Sequence, residues 1–208
     1  MPFSREKFVS LRPVLFHLTA KENVTSIRKQ RGLMSASALA ELSGAHAMLR
    51  RKRSKLEPVR LPDGTQVILR DQAPLHSGNI AFEPGFSFPD LLDDLNRRIF
   101  FWPGNSRGPI EHGRRHFNRY AGTSIALLRI QTKEFLDLNK AEFCAYNSGS
   151  PRSSNGRKSP RGSSTFSPEY ATPHTPGRVV EVTVKDAAKL PESTEIAPTP
   201  DGQWERLF

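Results

Sequence analysis

Cysteine is almost missing from this chain. Cys144 stands alone among 208 residues, so an intramolecular disulfide is excluded, as is a metal cluster built on several thiolates. A reducing cytoplasm is the compartment that fits. A lone free cysteine can be a nucleophile, but it more commonly behaves as a small hydrophobe. Long hydrophobic runs are also missing. Mean hydropathy is -0.53, only 36% of residues are hydrophobic, and no run approaches a membrane span, so a soluble protein without a membrane partner is expected. The first ten residues lack the apolar core of a secretory signal. Of the phosphate-binding signatures, neither G-x-x-x-x-G-K-[ST] nor a G-x-G-x-x-G after a strand occurs, and there is no H-E-x-x-H. His112 and His116 have the i, i+4 spacing of a helical metal pair, but no third ligand stands in a fixed relation to them. No metal is expected.

What is present in excess is positive charge: 31 Lys and Arg against 21 Asp and Glu, a net charge of +10. It gathers in Arg50-Arg51-Lys52-Arg53, in Arg114-Arg115, and in Arg152, Arg157, Lys158 and Arg161. A polyanionic or phosphate-bearing partner would suit that distribution, and so would a plain basic surface.

The order of elements reads as α+β in one domain spanning 1–208. A short helix over 4–12 leads to a strand over 14–18. Asn23 or Thr25 caps a helix that runs to Arg31 and stops at Gly32. A second helix is expected from Ser35 to Arg53, with its basic cluster at the C-terminus. Asp63-Gly64 turns a hairpin between 58–61 and 66–69. A helix over 89–97 precedes the apolar strand Ile99-Phe100-Phe101-Trp102, which Pro103-Gly104 should end. A helix over 112–121, a strand over 124–130, a turn or short helix over 132–138 and a short strand over 143–146 follow. Residues 150–165 are Ser, Gly, Pro, Arg and Lys with almost nothing apolar, and a mobile basic loop is expected there. Val179 to Val184 is the last clear strand, and Trp204 and Phe208 are candidate anchors for an irregular tail.

Chemistry concentrates in a few places. The apolar strand Val14-Leu15-Phe16 ends on His17, with Thr19 on the same face. An imidazole beside a hydroxyl can hold a ribose diol, although a core histidine bonded to backbone is the ordinary alternative. Glu181 lies within Val179-Val180-Glu181-Val182-Thr183-Val184. It is either a solvent-facing edge carboxylate or a cleft carboxylate that accepts from a sugar hydroxyl and stabilises an oxocarbenium ion. Alternation sends Phe100 and Trp102 to one face and Phe101 to the other, and one of these rings could stack on a base or a nicotinamide. Arg70, in Arg70-Asp71-Gln72, forms a structural ion pair or grips a pyrophosphate.

Taken together, Phe16-His17-Leu18-Thr19, Asn23, Ser26-Ile27, Gly32-Leu33 and Val180-Glu181-Val182-Thr183-Val184 resemble the opening and the glutamate strand of the DarT-like DNA ADP-ribosyltransferases. Over nearly its full length the chain is more similar to an uncharacterised bacterial family that shares R-D-Q-x-P (Arg70 to Pro74), F-F-W (Phe100 to Trp102), N-S-G (Asn147 to Gly149) and R-G-x-x-T-F (Arg161 to Phe166). The distant resemblance implies an ADP-ribosyltransferase-like fold, two small mixed or antiparallel sheets around a central cleft with peripheral helices. It implies NAD as substrate, held by His17, Thr19, Asn23 and an aromatic residue, Phe101 or Trp102. Glu181 would be catalytic, and Arg70 and Arg107 are rivals for the arginine that the DarT family carries after its aromatic strand. The acceptor would be DNA or RNA, and the resemblance leaves room for an antitoxin or neighbouring-gene partner. A non-catalytic nucleotide- or nucleic-acid-binding module on the same fold is the alternative, and a basic interaction protein without a small-molecule site is a third reading.

Overall fold

A computed structural model describes residues 3–146, 148–149 and 160–208. Its helices are α1 (Arg5–Leu11), α2 (Val24–Gln30), α3 (Ala36–Ser43), α4 (Phe88–Asn96), α5 (Glu111–Asn118) and α6 (Thr132–Leu138). Its strands are β1 (Val14–Ala20), β2 (Gly32–Met34), β3 (Glu57–Arg60), β4 (Gln66–Leu69), β5 (Arg98–Asn105), β6 (Gly108–Pro109), β7 (Ile125–Gln131), β8 (Glu142–Cys144), β9 (Ser167–Pro168), β10 (Glu181–Lys185), β11 (Ala187–Lys189), β12 (Glu195–Ala197) and β13 (Glu205–Arg206). Serines start three of the helices. Ser4 accepts from the Lys7 amide, Ser35 from the Ala38 amide, and Ser87 forms a reciprocal capping box with Asp90.

The architecture is α+β and its strand ladders are antiparallel. Nine strands form one sheet, eight of them in the order β13-β12-β7-β1-β5-β10-β8-β9 with β6 beside β5, and β2–β11 and β3–β4 are separate two-stranded ribbons. The expected two small sheets are here joined into one, because β5 belongs to both halves of the path. Its C-terminal half, Trp102 to Gly104, pairs with Phe16 to Val14 of β1. Its N-terminal half, Arg98 to Phe101, pairs with Lys185 to Val182 of β10. Beyond Phe16 the β1–β5 ladder stops, while β1 stays paired to β7 as far as Ala20. The sheet therefore parts on one side of β5, at the residue before His17.

Alternation along β1 and β5 fills both faces. Leu15, Phe101, Leu128, Phe135 and Val182 pack on one face, and Val14, Phe16, Leu18, Trp102 and Phe117 on the other. Trp204 in the tail packs edge-on against Phe16, and Arg31 lies over Phe208.

Four local expectations are corrected. The helix that starts after Ser35 stops at Ser43, where Gly44 takes φ 70 and its amide caps Ala40 and Glu41. The basic cluster is thus not a helix terminus: Arg51 forms a two-pronged pair with Glu57, and Arg53 is buried on Asn96 and the Arg70 carbonyl. At the end of α2 it is Arg31 that turns left-handed, at φ 52. Gly32 opens β2 instead, and a Cβ there would meet the Ala188 carbonyl oxygen at 2.7 Å. Pro103-Gly104 does not end β5, which runs on to pair with β6. Finally, of the tract expected to be a mobile basic loop, residues 150–159 lie outside the described residues, but Arg161 and Thr165 are 2% and 3% exposed. Arg161 bridges Phe82 in parallel. Backbone pairing and buried polar bonds hold this segment, a source of order that hydropathy does not register.

Candidate functional site

A cavity of about 470 Å³ opens where β1 leaves β5. His17 marks the parting. Its Nδ1 lies 2.9 Å from the Phe100 carbonyl oxygen, and because a carbonyl only accepts, Nδ1 carries the proton. The neutral ring then presents Nε2 as an acceptor. Burial pushes the His17 pKa down to about 4, aided by the Arg70 cation and opposed by the bond to Phe100. At neutral pH His17 is therefore an uncharged acceptor in the cavity wall.

Glu181 lines the same cavity from β10, on the other side of β5. The two strands flank one strand, so their backbones are on the order of 10 Å apart. Glu181 is 5% exposed, and its Oε2 accepts from the Ser148 amide at 3.1 Å. Burial pushes its pKa up to about 7, against the opposing pull of the Ser148 bonds and the Arg161 cation. The edge-strand, solvent-facing reading of this carboxylate is thereby excluded. Its cross-strand partner Cys144 is buried, with its thiol pushed up by desolvation and by the Glu181 charge. A thiol in that state is a poor nucleophile, and Cys144 packs as a core residue.

Phe100 and Trp102 line the cavity, as their shared parity requires. Phe101 does not: it is fully buried on the opposite face, 4.4 Å from Phe135 and 5.4 Å from His17 between ring centroids. Its part is to support His17. Thr19 and Asn23 both reach the wall, but the Asn23 side chain is already committed. It donates to Thr19 Oγ1 and the Ile68 carbonyl and accepts from the Ile68 amide. Asn23 is a clamp between β1 and the β3–β4 hairpin, and it leaves the Thr19 hydroxyl its own proton to donate.

Of the rival arginines, Arg70 lines the cavity and Arg107 does not. Because β5 continues past Gly104, the β5–β6 turn carries Arg107 out to an exposed position. Arg70 lies 4.3 Å over the Tyr120 ring, bonds the Leu18 carbonyl at 3.4 Å, and keeps a buried Nε with no hydrogen-bond partner. No carboxylate lies within ion-pair distance of it among the described residues. Its neighbour Asp71 accepts from the Tyr120 hydroxyl at 2.6 Å. The ion-pair reading of Arg70 therefore gives way to a cation held ready on an aromatic face.

One wall was not anticipated. His112, Arg115, His116 and Arg119, spaced i, i+3, i+4 and i+7 along α5 and its C-cap, all line the cavity. His116 stacks on Trp102 at 4.1 Å and 23°, its Nε2 buried without a partner. Burial and the nearby Arg70 and Arg119 cations hold its pKa well below the usual histidine range. The signal is legible as a basic helical stripe in His112-Gly113-Arg114-Arg115-His116, whose i, i+4 histidines also have the spacing of a metal pair. Gly113 lets α5 approach, since a Cβ would meet the Trp102 Cβ at 2.8 Å. Among the described residues no group of three His, Cys, Asp or Glu side chains is placed to hold a metal, and no helix is long and apolar enough to cross a membrane. Asn147 of the N-S-G motif lies outside the described residues, whereas Ser148 and Gly149 line the cavity.

The cavity lining holds five arginines and two carboxylates, Asp71 and Glu181; Arg98 is paired with Asp94 and Glu142 and Arg115 with Glu111, which leaves the positive excess on Arg53, Arg70 and Arg119. It suits a ligand with an anionic end and a hydroxyl-rich end. No curated protein matches the sequence. One family model matches residues 13–194, a span that holds every cavity-lining residue, and the chain belongs to that family, a family of unknown function designated DUF7002.

Proposed function

We propose that the protein is an NAD-dependent ADP-ribosyltransferase with nucleic acid as its acceptor. The observation that carries the reading is the convergence of His17, Phe100, Trp102 and Glu181, far apart in sequence, on one cavity at the point where the sheet parts. The uncharged His17 Nε2 accepts from a ribose hydroxyl. The ionised Glu181 accepts from the 2′-hydroxyl of the nicotinamide ribose and offsets the positive charge that builds at C1′. The bond between C1′ and the nicotinamide nitrogen breaks, and its electron pair leaves with nicotinamide. An acceptor nitrogen or oxygen then forms the new bond to C1′ and releases its proton to a base. Phe100 or Trp102 offers a face to the nicotinamide ring. Arg70 and the α5 stripe supply positive charge for the diphosphate and for acceptor phosphates. The resemblance to DarT-like enzymes in H-x-T and in the glutamate strand supports the same assignment.

The test incubates the full chain with NAD and single-stranded oligonucleotides and follows nicotinamide release. Release that stops in Glu181→Ala, with the variant folded, is the expected outcome. Full activity in that variant overturns the mechanism. Saturable NAD binding by calorimetry without nicotinamide release supports instead the non-catalytic nucleotide-binding module, and an unmoved melting temperature with NAD supports the basic interaction protein.

A further inference from the structure

The R-G-x-x-T-F segment contains a buried arginine that the proposed chemistry does not use. Arg161 is 2% exposed. Its amide donates to the Ala81 carbonyl at 2.8 Å and its carbonyl accepts from the Glu83 amide at 2.9 Å. Its guanidinium carbon lies 4.4 Å over the Tyr146 ring, and its Nε donates to the Ser148 carbonyl at 2.8 Å. The amide of the same residue, Ser148, donates to Glu181 Oε2 at 3.1 Å. Three groups therefore stand in series: guanidinium, Ser148, carboxylate. Ser148 is itself 1% exposed and forms part of the cavity wall beside Glu181.

We infer that Arg161 is a positioning residue for Glu181, acting through Ser148 to fix the carboxylate's orientation and to favour its ionised form. Burying a guanidinium is costly, and a short loop could be tied down with neutral groups. Placed here, the cation does two further things. By holding the Ser148 carbonyl it fixes the residue whose N–H bonds Glu181, so the carboxylate is held in one orientation at the cavity wall. Its charge also opposes the desolvation that drives Glu181 towards its neutral form. Among the described residues, the other groups near Glu181 do not supply this. Cys144 on β8 is an uncharged thiol, and Tyr146 has its own pKa raised by burial. Arg98 on β5 is neutralised by Asp94 and Glu142, and His17 is uncharged at neutral pH. The inference deepens the transferase reading and rests on it only for the turnover measurement.

Two readouts separate the inference from that reading. In the full chain labelled with 13C at glutamate carboxyls and 15N at amides, the Glu181 resonance is assigned by its loss in Glu181→Gln. Its titration is then followed beside the Ser148 amide proton. The two should titrate together in the wild-type protein. A Ser148 amide that stays flat through the Glu181 titration overturns the inference, whether or not any variant folds. Arg161→Gln should raise the Glu181 midpoint by about one pH unit, and Arg161→Lys, which keeps the charge, should restore most of it. A folded Arg161→Gln protein with an unmoved Glu181 midpoint also overturns the inference. Where NAD is turned over, the acid limb of the rate against pH should move with the same midpoint, lowering kcat several-fold near neutral pH with KM for NAD little changed. If NAD is not consumed at all, the transferase reading fails while the resonance test still decides the role of Arg161.

Discussion

A carboxyl group that must ionise inside the protein costs stability whenever it does so, and Glu181 meets that condition. Its folded pKa, raised to about 7 by burial, exceeds that of a carboxyl in the unfolded chain. The native state therefore binds the extra proton. Stability falls as pH rises from the ordinary carboxylate range through about 7 and is level above it. Glu181→Gln removes the charge and keeps the shape. It should raise stability by roughly 1–3 kcal/mol at pH 8 and by almost nothing at pH 4, while abolishing turnover. Thermal melts at the two pH values check this, and a variant equally destabilised at both would show that the carboxylate is structural. Asn23 gives the opposite signature. With its amide bonded to both polar atoms of the Ile68 backbone and to Thr19, Asn23→Ala leaves a partly buried N–H unpaired and should cost about 1 kcal/mol. Denaturant unfolding measures that loss, and any fall in NAD affinity should follow the loosened hairpin. Polar residues at a strand end are legible in sequence as candidates, but which of them binds outward and which is spent on the backbone is decided by a partner 45 positions away.

At the scale of elements, local chemistry was the dependable guide. Asp63-Gly64 places the β3–β4 hairpin, with Gly64 at φ +82. Serines start three helices, and parity separates Phe100 and Trp102 from Phe101 as expected, but it does not say which face meets the cavity: the resemblance points to Phe101 or Trp102, and the lining holds Phe100 and Trp102. Lengths were less legible, because they depend on distant pairing. Pro103 reads as a strand breaker, but it sits opposite Leu15 in the β1 ladder and its carbonyl accepts from the Ile110 amide. Gly104 is what makes the continuation fit, since a Cβ there would lie 2.3 Å from the Gly108 carbonyl oxygen and 2.7 Å from the Phe16 ring. Gly104→Ala should therefore cost about 2 kcal/mol or more, read as a fall in melting temperature. A neutral outcome would mean that the β5–β6 hairpin can be displaced without harm to the sheet.

Over the whole molecule, the positive balance of +10 was plain from composition, but its distribution was not. Much of it is spent: Arg51 on Glu57, Arg98 on Asp94 and Glu142, Arg129 on Glu195. Among the described residues, what remains without a carboxylate partner at the cavity includes Arg70 and Arg119, which no hydropathy pattern could have paired across Tyr120 and α5. If nucleic acid is the acceptor, its affinity should fall with salt. Two displaced counterions alone predict roughly a tenfold loss between about 50 and 200 mM. Fluorescence anisotropy of a labelled oligonucleotide across that range measures the slope, and a flat response would remove phosphates from the interaction.

The strand β5 has one further consequence. It is the single seam joining the half-sheet that carries His17 to the half-sheet that carries Glu181. A molecule touching both residues spans that seam like a staple. Its binding should therefore slow hydrogen exchange in β1 and in β10 together, although the two strands share no hydrogen bond. A ligand confined to the α5 wall would protect the β1 side alone, so the exchange pattern reports which end of the cavity is filled before any chemistry is known.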